Sequence, residues 1–174
     1  MPYGIILRYS LRALAFGAAA GLIWLAARLL CVKRPLTRRD GLWLLAVVYV
    51  AMVLEIIGLR IGLVTIRFMG GKLRLCPLDF TLSQWRAGVG PFIYHVGGNM
   101  MWFMPLGALL PKLFPKAGWF HALLAGLALS LLVECMQYVL GTGVSDIDDV
   151  LLNTLGALTG YMMHAVFNLN RRRA

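Results

Sequence analysis

Residues 119–167 read WFHALLAGLALSLLVECMQYVLGTGVSDIDDVLLNTLGALTGYMMHAVF, and they decide the fold. Two apolar runs, Trp119–Leu140 and Ile147–Phe167, are each long enough to cross a bilayer, which takes about 20 residues. The Gly-Thr-Gly-Val-Ser connection between them is short, so the two helices are antiparallel neighbours. Ser130, Glu134, Gln137 and Gly141 share one face of the first helix, at about 100° per residue. Asp149, Asn153, Gly156 and Gly160 form a stripe on the second, with Asp146 at its edge and Asp148 beside it. Ionisable groups within membrane helices are costly and point to function by default.

Composition agrees with that reading. The chain has 174 residues, 60% hydrophobic and 14% charged, with a mean hydropathy of +0.78. Soluble domains are about half apolar and a quarter charged. The excess excludes a disordered chain, a disulfide scaffold and nearly any soluble enzyme. Seventeen Lys and Arg against seven Asp and Glu give a formal charge of +10. On so apolar a chain, that charge belongs to cytoplasmic loops and lipid headgroups and not to nucleic acid. Cys31, Cys76 and Cys135 form no CxxC pair, and His95, His121 and His164 are dispersed. No disulfide framework or zinc site is expected.

Three further spans are predicted: Leu11–Val32, Leu42–Leu63 with Glu55 and Arg60 inside it, and Tyr94–Leu113. The predicted fold is therefore an all-α polytopic transmembrane bundle of about five spans. Val64–Phe92, rich in Gly and Pro and carrying Arg67, Lys72, Arg74 and Arg86, is predicted as a long irregular interfacial loop. Residues 1–41 form an N-terminal helix and basic loop. Residues 42–170 form the membrane domain, with its core at 94–167, and residues 171–174 are a basic tail. Lys33–Asp40, Lys112 with Lys116, and Arg171–Arg173 share one side and carry nine basic residues, against six on the other. Gly141–Ser145 has none. The bias places the C-terminus in the cytoplasm and the N-terminus outside.

Asn99, Glu134, Gln137, Asp146, Asp149 and Asn153, with Asp148 in the same acidic group, are expected to converge near the outward ends of the last three helices. A capped helix start, with Ser145 or Asp146 as the cap, accounts for one or two acids but not for three beside a membrane glutamate. Several adjacent carboxylates need compensation. The candidate counter-charges are Arg67, Arg74 and Arg86, in that order. The alternative is a divalent cation held by Glu134, Asp146 and Asp149. No other cofactor is predicted. Gly107, Gly156 and Gly160 are expected at helix contacts. His95 reads as an interfacial residue, and no GxSxG, HExxH or P-loop motif is present.

Three blocks carry a family resemblance: Asn99-Met-Met-Trp-Phe-Met-Pro-Leu-Gly107; Ser130-Leu-Leu-Val-Glu134-Cys-Met-Gln137; and Asp146-Ile-Asp148-Asp149-Val-Leu-Leu-Asn153-Thr-Leu-Gly156-Ala-Leu-Thr-Gly160. Their order and spacing resemble the VanZ-like family of bacterial membrane proteins. Cys76-Pro77-Leu78-Asp79-Phe80 is similar to a short Pro-Phe stretch that the family often carries upstream. Many members also have a basic residue just before the Asp-x-Asp-Asp block, and Gly141–Ser145 lacks it. The resemblance implies a bacterial inner-membrane envelope protein, in a family named for a protein linked to teicoplanin resistance. The leading expectation is a protein that binds or moves an amphiphile: a membrane lipid, a lipid-linked cell-wall precursor or a glycopeptide. The alternatives are an integral-membrane enzyme acting on a lipid phosphate through a carboxylate and metal site, and an accessory subunit whose polar residues only fix helix packing.

Overall fold

The structure, a computed structural model, describes residues 3–59 and 68–173, with side chains described for 11–56 and 68–169. It divides into two compact units, Met1–Ile66 and Arg67–Ala174.

In the first unit, α1 (Tyr3–Cys31) packs against α2 (Arg38–Val53), which passes into a π-helical turn, Leu54–Leu59. Gly17 and Gly21 on α1 accommodate Val48 of α2. The turn between the helices is fixed by Asp40. Thr37 and Asp40 form a reciprocal capping box, and buried Arg28 donates from Nε to Asp40 Oδ1 at 2.8 Å. Glu55 lies in the π-helical turn, buried, with Oε2 unpartnered. Arg60 lies outside the described residues.

The second unit contains β1 (Lys72–Arg74), α3 (Asp79–Ala87), α4 (Val89–Leu113), α5 (Trp119–Leu140), β2 (Val144–Asp146) and α6 (Ile147–Arg173). Its centre is the α4–α6 contact, where the two helices run parallel. A Cβ on Gly156 would fall on the carbonyl of Met100, one on Gly160 on that of Met104, and one on Gly107 on that of Ala157. Bare backbones meet there because no side chain fits between them. On the other side of α6, Gly126 of α5 meets Ala157.

Within the segment expected to be an irregular loop, the described residues form ordered structure. β1 pairs in parallel with β2, Leu73 opposite Ser145. Leading into it, Met69 N–H donates to Val139 O at 2.7 Å and Gly71 N–H to Tyr138 O at 3.1 Å. Carbonyls in the last turn of a helix lack an i+4 donor; Met69 supplies one to Val139, and Gly71 adds a second donor to the Tyr138 carbonyl, which also accepts from the Gly141 N–H at 3.3 Å. At Gly71 a Cβ would strike the Tyr138 backbone, so glycine is required for the approach. Then α3 follows, with Leu82 and Trp85 exposed on its outer side. Sequence periodicity missed these elements because three-residue strands and nine-residue helices are too short to show a period.

Three helices among the described residues are long and apolar enough to cross a membrane: Leu11–Cys31, Trp119–Leu140 and Ile147–Leu169. The other two expected spans correspond to α2 with its π-helical turn and to α4. The first is 16 α-helical residues before the turn, and α4 has 25 residues but is interrupted by Gly, Pro, His95 and Asn99.

Candidate functional site

The N-terminal ends of α4 and α6 and the C-terminal end of α5 come together, closed over by β1, β2 and α3. Gly141, with φ of 61°, ends α5 in the left-handed conformation that glycine adopts without penalty. The Thr142 N–H returns to the Gln137 carbonyl at 3.1 Å. The chain then enters β2 and delivers Asp146 to the start of α6.

Asp146 uses both carboxylate oxygens. Oδ1 accepts from the Asp148 N–H at 3.0 Å, capping α6, and Oδ2 accepts from Arg74 Nη1 at 2.7 Å. The Arg74 guanidinium also lies 4.2 Å from the centre of the Phe80 ring. The Asp146 N–H donates to Glu134 Oε2 at 2.8 Å, so Asp146 joins the arginine to the membrane glutamate. Of the three candidate counter-charges, Arg74 reaches the acids. Arg86, exposed in the last turn of α3, pairs with no described residue, and Arg67 lies outside the described residues.

Asp148 turns the other way, toward α3. It is 1% exposed. It accepts from the backbone N–H of Leu78 and of Thr81 and from the Thr81 hydroxyl. Leu78 sits at φ 65° and offers no side-chain cap of its own. An acid from α6 therefore caps α3 across the fold, and charged acceptors make strong bonds of this kind.

From Thr81 the network continues inward. Thr81 Oγ1 lies 3.2 Å from His95 Nε2, and Phe80 packs edge-on against the His95 ring at 4.8 Å between centroids. Asn99 Nδ2 donates to Asp149 Oδ1 at 2.9 Å and to the His95 carbonyl at 3.0 Å. His95 Nδ1 is 3.8 Å from the same Asp149 oxygen. One turn deeper, Asn153 Nδ2 donates to Ser130 Oγ at 2.9 Å between α6 and α5.

The structure thus brings Asn99, Glu134, Asp146, Asp148, Asp149 and Asn153 to one end of the helices, with Gln137 buried beside them at the end of α5. Sequence reasoning missed Thr81 as a member and placed His95 at the interface. The i, i+4 spacing of His95 and Asn99 on one face of α4 was the available signal for His95. Thr81 offered none. Thr81, His95 and Asp149 follow the order of a hydroxyl–imidazole–carboxylate triad, but the Thr81 hydroxyl has Asp148 Oδ2 at 2.8 Å as its acceptor.

Backbone N–H groups and one guanidinium do most of the compensation for four carboxylates. Two buried acceptor atoms are left over: Glu134 Oε1 and Asn153 Oδ1. Among the described residues, no group of three or more His, Cys, Asp or Glu side chains is arranged to hold a metal ion. Glu134 and Asp146 face the partners just given, and Asp149 faces Asn99.

Two grooves border the network. One, of about 330 Å³, runs along α5 and α6 between Leu123, Leu127, Leu151, Leu155 and neighbouring apolar residues, with Thr81 and Asp148 in its lining. The other, of about 200 Å³, is lined by Leu73, Leu75, Leu131 and Tyr138 together with Glu134 and Asp146.

No solved structure matches the chain. Protein VanZ of Enterococcus faecium is 34% identical over 70 residues, which cover 40% of this chain and 44% of that protein. The chain thus matches less than half the length of this curated relative. The VanZ/LLP1 family model matches residues 41–168, which include every element of the acid network. With its long apolar helices, the protein is a membrane protein and belongs to the VanZ/LLP1 family.

Proposed function

We propose that this is a multi-pass protein of the bacterial inner membrane that binds or moves an amphiphile, with its acid network toward the outer leaflet and its C-terminus in the cytoplasm. The observation that carries the reading is the α5–α6 groove. Its walls are leucine and valine, suited to an acyl chain, and its lining includes Thr81 and Asp148, which belong to a hydrogen-bonded network reaching Arg74. Thr81 and Asp148 mark where the groove meets that network, while the surface it exposes is apolar. Candidate ligands are a membrane lipid, a lipid-linked cell-wall precursor or a lipoglycopeptide. The kinship with Protein VanZ motivates a glycopeptide such as teicoplanin as the first to test.

The experiment compares a lipoglycopeptide with the same glycopeptide stripped of its acyl chain, binding to the purified protein in nanodiscs. The acylated compound binds more tightly, and Leu127→Trp with Leu155→Trp removes the difference by filling the groove. Equal binding of both compounds, or no effect of the tryptophans on a preference that is present, overturns the assignment of the groove.

A second reading has its own support. Every oxygen of Asp146 and Asp148 has a donor, as in a network that only fastens elements together. Under it, Glu134→Gln lowers stability and leaves amphiphile binding unchanged.

A further inference from the structure

The opposite end of the α4–α6 pair carries a polar groove that shares no residue with the acid network. It measures about 320 Å³ and is lined by Ala108, Lys112, Met163, His164, Phe167 and Asn168. Because the helices run parallel, it lies toward their C-terminal ends. At 1.5 Å per residue, His164 is about 22 Å along α6 from Asp149, and Arg171 about 33 Å. The hydrocarbon core of a bilayer is about 30 Å thick. If the acids stand at one interface, the groove stands near the other.

Charge is segregated in the same way. Residues 107–133 and 150–174 contain no Asp or Glu, while Lys112, Lys116 and Arg171–Arg173 fall within them. Lys112 is exposed and forms no ion pair with a described residue. Asn168 Nδ2 lies 3.0 Å from His164 Nε2. An amide N–H donates, so this ring nitrogen accepts, and a neutral His164 carries its proton on Nδ1. The groove therefore sets the Lys112 side chain and the His164 ring beside the apolar residues Ala108, Met163 and Phe167.

We propose that this groove binds the headgroup of an anionic phospholipid. Phosphodiester oxygens only accept hydrogen bonds, which matches Lys112 and His164 as donors. The glycerol and first methylenes would lie on Met163 and Phe167. A zwitterionic lipid would bring its ammonium into a region with cations and no acid, so the site selects net negative charge. Basic pockets between helices at a membrane interface recognise anionic headgroups by this means.

The test uses the full-length protein in detergent, with native mass spectrometry counting retained lipid and a thermal melt read in parallel. Phosphatidylglycerol should be retained in preference to phosphatidylcholine and should raise the melting temperature. Lys112→Gln should weaken phosphatidylglycerol binding about fivefold, and Lys112→Gln with His164→Gln should abolish the preference. Lys112→Arg should restore it. Arg86→Gln, which removes the same charge at the other end, should leave it intact. Inorganic phosphate should not shift the melt. Three results overturn the proposal: equal retention of the two lipids by the unaltered protein, an equal loss in Arg86→Gln, or a melt shift reproduced by inorganic phosphate alone.

Discussion

Asp148 and Asp40 show how single carboxylates hold this protein together. Asp148 accepts three donors belonging to Leu78 and Thr81. Asp148→Ala strands those donors, and leaving a buried donor unsatisfied costs about 1–3 kcal/mol. The expected outcome is a lower melting temperature in detergent together with faster proteolysis around residues 79–87. An unchanged melt with a protected α3 would show that the cap contributes nothing. Asp40 stands outside the predicted spans, and the Arg28 guanidinium, followed by Thr37, holds its carboxyl well below the usual range. A depressed folded-state value means that the contribution to stability is complete above the unfolded value of about 3.9 and fades as pH falls below it. Asp40→Asn should therefore be less stable than the unaltered protein at pH 7, with the gap narrowing below about pH 4. Melts across a pH series read this directly, and a gap independent of pH would contradict it.

At the scale of elements, the close α4–α6 approach rests on three glycines. Gly160→Leu drives a side chain into the Met104 backbone, and overpacking of this kind costs about 1–3 kcal/mol. Gly97 on α4 has nothing within 4 Å of the position its Cβ would take. Gly97→Ala should then be neutral or stabilising by up to about 1 kcal/mol, since alanine is the better helix former. Paired melts of the two variants distinguish contact glycines from idle ones on the same helix pair. Equal destabilisation by both would mean that backbone proximity is not what Gly160 supplies. The α3 helix is a contrasting element, since its own sequence provides no N-cap and its start depends on an acid almost 70 residues away in the chain.

For the whole molecule, the governing question is which side the acid network faces. The proposed topology places β2 outside and the Arg171–Arg173 tail inside. Val144 is exposed in β2, so Val144→Cys in a background without Cys31, Cys76 and Cys135 should react with a membrane-impermeant maleimide added to intact cells. Labelling only after the cytoplasmic face is opened would invert the topology. It would also move the amphiphile groove's polar end to the inner leaflet, while the lysine-lined groove at the far end of α4 and α6 would face outward.

Several features follow from local sequence. The helices α5 and α6, their antiparallel arrangement and the polar faces at Glu134 and Asp149 do so because helical phase and bilayer length are properties of consecutive residues. The ordered blocks from Asn99 to Gly160 also marked the family. Other features required tertiary structure. That Arg74 and not Arg86 meets Asp146 depends on β1 pairing with β2, a contact between residues more than 70 positions apart. His95 and Thr81 join the network because α3 folds over the ends of α4 and α6, and no periodicity in 68–92 announces so short a helix. Asp146, Asp148 and Asp149 look alike in a row, yet successive backbone directions at the start of α6 send them to an arginine, to another helix's N-terminus and to an asparagine. Their division of labour is set by what stands opposite each one, which only the packed chain determines.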